Sequence, residues 1–317
     1  MPIQRTSTVV ARADLGDVVG EFDPSTEGFI ARQILPPRET PEKSGKITAI
    51  VKENLGRVTT DHANGAAFNR ANFATGEVSY ACVEHALEGA VTQEDRALAM
   101  SEYDAEEEVT LDVNRKILVE REIRVATAVF NTTTFTGATL YTDNSASPWD
   151  TVTTTVIVQV NAAKEKVRTL TGSTPDTMIL SSVQLGNLLA NTTILARFPG
   201  AAVITEADLR ANLAAIFGLK NLLVGEAMYN SANQGQDFVG ADIWSDDYAM
   251  ICKLNAGSLR SGGLGRTMIW TGMDSVGESA VETYEEPQTD STIVRVREYS
   301  NEVIFDASFG HLLKIDA

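Results

Sequence analysis

The chain has 317 residues, 43% hydrophobic and 22% charged, enough for one large domain or two intimate ones and well inside the globular range. Its 43 acidic against 26 basic residues give a formal charge of −17, which argues against a surface that binds nucleic acid by neutralising phosphates. Cys82 and Cys252 are the only cysteines and show no CxxC spacing, so neither a disulfide framework nor a thiolate metal site is indicated, and a reducing compartment fits. The N-terminus lacks the apolar core of a signal peptide, and no window approaches the ~18 consecutive apolar residues of a membrane span. The sequons at Asn131 and Asn191 are therefore read as chance matches.

Residues 1–45 mix small polar residues with turn formers and end in Leu35-Pro36-Pro37 and Thr40-Pro41, where each proline blocks a helix and biases the preceding residue to extended backbone. The segment reads either as an arm that needs a partner surface or as a floppy terminus. KITAIVKENLGRV (46–58) alternates in part, and EVSYACVEHAL places Val78, Tyr80 and Cys82 on one face, so the two runs predict a long hairpin. The text between them, TTDHANGAAFNRANFAT, is poor in aliphatics and cannot bury enough surface to stand alone. It is an extended loop held by a neighbour or an ordinary surface hairpin.

Ser101-Glu102-Tyr103-Asp104 has the Ser-x-x-acid form of a capping box, and the run Ala105–Val129 contains neither Gly nor Pro. One long helix is predicted, roughly 35–40 Å at 1.5 Å per residue. Val109, Val113 and Ile117 form one stripe and Leu111, Leu118, Val125 and Val129 another on the opposite side, with Asp112, Lys116, Arg121 and Glu122 between them. Two stripes suit a spine between a sheet and a second layer, or a helix central to a larger core.

After the turn-rich text 131–151, VTTTVIVQVNAAKEKVRTL passes from a β-branched start into a helix through Lys164 and Val167, closed at Gly172 to Pro175. Thr177 to Ser181 reads as a buried strand and VQLGNLLAN as a short helix. Thr205 caps EADLRANLAAIFGL, where Leu209, Leu213 and Ile216 share a face and Gly218 supplies the stop. NLLVGEAMY (221–229) and YAMICKL read as strands, which makes this stretch a compact α/β unit. The loop NAGSLRSGGLGR leads to Thr267 to Trp270, and the end STIVRVREYSNEVIFDASFGHLLKI predicts consecutive antiparallel strands around Ile293, Val294 and Val296, then Val303, Ile304 and Phe305, then Leu312, Leu313 and Ile315. No internal repeat is evident.

A search for chemistry finds none. His62, His85 and His311 have no HExxH spacing and no cysteine beside them, so no zinc ligand set is visible. The glycines of 261–266 lack the order that cradles phosphates and read as a turn, with Arg260 and Arg266 available for partner carboxylates. Glu106 to Glu108 and the pair Glu285-Glu286 read as solvated faces rather than a general acid and base, the former stabilising a helix start. The acidic run 242–247 lacks the spacing of a calcium loop. Neither catalytic residues nor cofactor or metal sites are expected.

The order of elements resembles the major capsid protein of tailed bacteriophages with the Hong Kong 97-type fold, an α+β architecture. The most telling texts are NLLVGEAMYNSANQG followed by IWSDDYAMICKL, similar to the axial domain of that family, and VREYSNEVIFDASFGHLLKIDA, similar to its peripheral-domain finish. The resemblance implies an N-terminal arm (1–45), an extended loop (46–90) lying over a neighbouring subunit, a peripheral domain (91–174) with a spine helix at 105–132, an axial domain (175–285) around the capsomer axes, and terminal strands (286–317) returning to the peripheral domain. It further implies a homo-oligomer of pentamers and hexamers closing into an icosahedral shell around double-stranded DNA held without sequence-specific binding, located in the virion and assembled in the host cytoplasm. No coiled segment precedes the arm, so a separate scaffolding protein is expected, with portal and decoration proteins as further partners. Lys46 and Lys52 lie near the base of the loop, so the lysine crosslinking of some relatives is not carried over. An encapsulin-type compartment enclosing cargo enzymes shares the fold and is the alternative, and the alternation over 175–230 leaves a soluble α/β enzyme as a second rival.

Overall fold

The computed structural model describes residues 9–22, 28–50, 57–62, 64–65, 67–71, 74–99, 104–198, 206–233, 235–254, 262–272 and 279–316. Residues Ser101 to Tyr103 of the expected capping box, the Thr205 cap, the Leu209 side chain, Lys52 and the loop 255–261 with Arg260 lie outside the described residues.

Two sheets share the chain. The first is built on Ser291–Ile304, a single strand where two were expected. Val83–Thr92 runs antiparallel along one side of it, from Thr92 opposite Ser291 to Val83 opposite Ser300. Ala280–Glu286 pairs with its first half, and Gly265–Trp270 takes over from Ser300 to Ile304. Val10–Ala11 and Pro37–Thr40 complete the six strands at the two edges. The text between Val296 and Val303, where one strand was expected to give way to the next, holds Glu298, Ser300 and Glu302. It stays in the strand because these side chains are satisfied by arginines from the long helix, as described below.

The second sheet runs in the order Tyr141–Asp143, Gly310–Lys314, Tyr248–Cys252, Thr177–Ser181, Asn221–Gly225. The last strand of the chain therefore lies with strands drawn from 141–252, not beside its predecessor. Period-two alternation splits the side chains between two cores. Met178, Leu180, Ala249, Ile251 and Leu313 face the helices Val156–Thr171, Ser182–Ala190 and Glu206–Phe217. Ile179, Met250, Cys252 and Leu312 face the long helix and the segment around Ile30 to Leu35. The β-branched text from Val156 is helical from its first residue because Val156 and Val160 are fully buried in the former core, which overrides weak local preference. The expected strand 221–229 is interrupted: Asn221–Gly225 belongs to this sheet and Met228–Asn230 to a separate hairpin with Gly240–Asp242.

The long helix is Ala105–Val129, capped by the Asp104 carboxylate, which accepts from Glu106 N. Asp104 thus takes the cap position, and the helix ends three residues short of the expected 132. Its burial also differs from two opposed stripes. Ala105, Val113, Ile117, Arg121, Val125 and Val129 form one i,i+4 row and are buried, while Leu111 and Leu118 stay half-exposed. Such a row turns about 40° around the axis at each step. The first half of the helix consequently packs on Val91, Val281, Val294 and Val296 of the six-stranded sheet, and the second half on Ile34, Trp244, Met250 and Leu312. The helix is gripped by two layers in succession along its length, and so ties the two sheets together.

The hairpin forms, with Ser44–Ile50 antiparallel to Thr75–Ala81 in the register Ser44 to Ala81 through Ile50 to Thr75. It ends at Cys82, whose N–H donates to Lys43 O at 2.8 Å; beyond that bend the chain becomes the sheet strand Val83–Thr92. The described N-terminal residues pack on their own subunit. Leu15 on the helix Ala13–Glu21 and Ile34 and Leu35 near the helix Ala31–Ile34 are buried, so these parts of the arm have an intramolecular seat.

Candidate assembly surfaces

A surface that docks a neighbour is rigid at its root and carries groups left unsatisfied until they are buried. The hairpin has this character. It is held at its base by Ile47, Tyr80 and Cys82 against Met268 and Val303, and Lys46 pairs with Glu77 across its strands at 2.7 Å. The described residues of the loop beyond, 57–62, 64–65 and 67–71, are all exposed. Phe68 is 79% exposed and stacks on His62 with ring centroids 4.3 Å apart. An aromatic ring left in water costs free energy that burial by a partner would recover.

The strand Val83–Thr92 leaves Val83 and Leu87 exposed. Beside its end, the short helix Gln93–Ala99 and the start of the long helix enclose a cleft of about 580 Å³, with Val91, Ala105 and Val109 on its floor and Asp95, Glu108 and Asp112 at its rim. Gly89 permits this close approach, since a Cβ there would run into Val109 and Val113.

Two buried polar joints make the frame behind these surfaces stiff, and neither was singled out from sequence. Glu122, 1% exposed, accepts from the amides of Ile30 and Ala31 at 2.9 Å each and from Trp244 Nε1 at 2.7 Å. Burial pushes its carboxyl pKa up against the opposing pull of those three donors. One side chain thus joins the long helix, the N-terminal segment and the loop before Tyr248–Cys252. Arg121 and Glu298, 3% and 1% exposed, form the second joint, and Arg124 bonds to Glu298, Ser300 and Glu302 at 3.1, 3.2 and 3.1 Å. The strand's alternation signalled Glu298: Val294, Val296, Glu298 and Ser300 share its inward face.

The other sequence candidates fall apart in space. His62 is in the exposed loop, and His85 is half-buried on the strand Val83–Thr92, its pKa lowered first by burial and then by Arg124. His311 is fully buried, with its ring nitrogens 2.9 Å from Thr139 O and 2.8 Å from Thr142 Oγ1. Because the carbonyl can only accept, Nδ1 carries the proton and Nε2 accepts from the hydroxyl, which itself accepts from Lys166 Nζ at 2.7 Å. Burial pushes the His311 pKa down to about 4. Glu106 pairs with Arg12 and Arg96, whereas Glu107 and Glu108 are exposed in the first helical turn. Asp246 accepts from Ser181 Oγ at 2.6 Å and closes a joint inside the fold. Arg266 is half-buried near Arg38, its pKa lowered mainly by desolvation. Cys82 and Cys252 are both buried, their thiol pKa values raised by desolvation. Among the described residues no group of three or more His, Cys, Asp or Glu could hold a metal, and no helix is long and apolar enough to cross a membrane.

No family model matches the chain. A curated relative is the "Major capsid protein" of Burkholderia phage BcepMu, 26% identical over 219 residues, 68% of this chain and 69% of that one. A phage-related protein from Bordetella bronchiseptica RB50 superposes over 97% of both chains with a TM-score of 0.73 at 18% identity. The capsid of the cyanophage P-SCSP1u matches 89% of this chain and 86% of its own with a TM-score of 0.57 at 13% identity. The chain is thus similar to phage major capsid proteins. Its fold is the Hong Kong 97-type α+β capsid fold, with the long helix as spine and the hairpin as extended loop. Both buried joints are closed within the fold, whereas the described residues of the hairpin loop are exposed.

Proposed function

We propose that this capsid protein assembles through its hairpin, the loop at 57–71 and the exposed strand Val83–Thr92 into pentamers and hexamers, which close into an icosahedral shell around double-stranded DNA. The observation that carries this reading is the kinship with a phage major capsid protein over two thirds of both chains, joined to a whole-chain match in fold. In this arrangement 1–45 is the arm, 46–90 the extended loop across a neighbour, 91–174 and 286–317 the peripheral domain and 175–285 the axial domain. The role is structural and involves no catalysis. The charge of −17 suits a subunit whose shell encloses DNA without gripping it. Assembly takes place in the host cytoplasm with a separate scaffolding protein, and portal and decoration proteins complete the particle. Many modest interfaces, each burying about 1,000 Å² or more, would supply the binding energy.

Expression with a scaffolding protein followed by negative-stain electron microscopy tests this. Hollow, uniform shells that package DNA in the infected host are expected. A chain that stays monomeric with scaffold present refutes shell formation, and particles filled with protein but never with DNA would identify an encapsulin-type compartment instead.

A further inference from the structure

The loop at 57–71 holds the one Asn-Gly step of the chain, Asn64-Gly65. Both residues lie in a turn and are exposed, and Gly65 has a φ of 84°. A Cβ built on Gly65 would meet nothing within 4 Å, so the space around the peptide that joins them is open. Among the described residues neither the Asn64 carboxamide nor the Gly65 N–H has a hydrogen-bond partner. A turn made by a glycine in the left-handed region leaves the preceding side chain free to swing onto the glycine nitrogen.

Asn144, Asn161 and Asn230 also precede small residues, and each is held. The Asn230 side-chain oxygen accepts from Ala232 N at 3.1 Å and from Val239 N at 3.0 Å. After Asn144, the Ser145 N–H donates to Asp143 Oδ1 at 2.9 Å. Asn161 lies inside the helix Val156–Thr171, where the next amide belongs to the helical ladder. In the same loop as Asn64, Asn69 donates through Nδ2 to Thr59 O at 2.7 Å and is followed by Arg70, whose side chain crowds the neighbouring nitrogen.

The geometry points to Asn64 as a site of spontaneous covalent modification, at which the chain converts its own asparagine to aspartate and isoaspartate. The Gly65 nitrogen gives up its proton and attacks Asn64 Cγ. The new N–Cγ bond closes a succinimide ring, the Cγ–Nδ2 bond breaks, and Nδ2 leaves with that proton as ammonia. Water then adds to one of the two ring carbonyls and opens the ring to aspartate or isoaspartate. Nothing is oxidised or reduced, and water is the one co-reactant. Each converted chain gains a negative charge in a stretch, 46–74, where four basic residues outnumber two acidic ones. The isoaspartyl form also adds a methylene group to the main chain of the turn. The conversion needs no partner and stands apart from the shell reading.

Incubating the purified full chain in warm, mildly alkaline buffer and mapping its tryptic peptides tests this. The peptide 58–70 is expected to acquire the mass difference between asparagine and aspartate, with fragmentation placing it at position 64 rather than 69. An isoaspartyl methyltransferase should label the same peptide. Gly65→Ala puts a methyl group beside the attacking nitrogen, and Asn64→Gln requires a larger ring, so each should slow the change by about tenfold or more. Conversion at Asn69 or Asn144 as fast as at Asn64, no isoaspartate at position 64, or a wild-type rate in Gly65→Ala overturns the proposal. So does a native chain that converts more than about tenfold slower than the chain unfolded in urea, since the turn would then be holding the two groups apart. None of these readouts depends on shells, so failure of the shell reading leaves the modification intact.

Discussion

Replacing Glu122 by Ala removes the acceptor of three buried donors: the amides of Ile30 and Ala31 and the indole N–H of Trp244. Each orphaned donor costs about 1–3 kcal/mol. The full sum overstates the loss, because the substitution also ends the desolvation of a carboxyl whose pKa burial has raised, and because water can enter the space. The expected net destabilisation is about 3–5 kcal/mol, in line with breaking a buried charged joint. Glu122→Gln keeps one acceptor oxygen and should lose less, about 1–3 kcal/mol. Urea denaturation of the unassembled subunit measures both. Native-state hydrogen exchange supplies the local readout, since the amides of Ile30 and Ala31 should exchange far faster in Glu122→Ala while those of the buried strand Thr177–Ser181 keep their protection. A loss below about 1 kcal/mol for the alanine variant, or equal losses for Ala and Gln, would refute the reasoning that this carboxylate joins the N-terminal segment to the spine.

The buried His311, with its pKa pushed down to about 4, binds fewer protons folded than unfolded, where ~6.5 applies. Its contribution is complete above the unfolded value and is lost as pH falls from ~6.5 to about 4, up to ~3 kcal/mol in all. Melting curves against pH should show this acid limb flattened in His311→Gln. The raised pKa of Glu122 acts with the opposite sign, favouring the fold as pH falls through its own range, so Glu122→Gln should steepen the limb. Gly225→Ala drives a methyl group into the fully buried Trp244 ring and should cost about 1–3 kcal/mol of subunit stability, read by thermal melting. Phe68→Ala, at a side chain 79% exposed, should leave that stability within about 0.5 kcal/mol of wild type and yet reduce shell yield in electron micrographs.

Much of the layout was legible along the chain. Proline and glycine punctuation, the Gly- and Pro-free run 105–129, and period-two alternation near the end each reported a local preference that the fold kept. The legible part ended where partners distant in sequence decide. A break was expected between Val296 and Val303, yet one strand runs on through Glu298 and Glu302, because Arg121 and Arg124, some 177 residues away, satisfy them. The spine helix looked double-striped because apolar letters were read without Thr110, Asn114, Arg121 and Glu122, which are buried too. A buried polar residue looks like a surface one until its partner is known.

The candidate surfaces divide in the same way. Sequence determined the polar, aliphatic-poor character of the loop and the acidic excess, since each depends only on composition and near neighbours. Tertiary structure alone decided that the hairpin stops at Cys82, that the cleft forms where Gly89 lets the spine helix close on its strand, and that the last strand Gly310–Lys314 leaves its predecessor for the other sheet. Those outcomes depend on contacts between residues far apart in sequence, whose free energy no local pattern encodes.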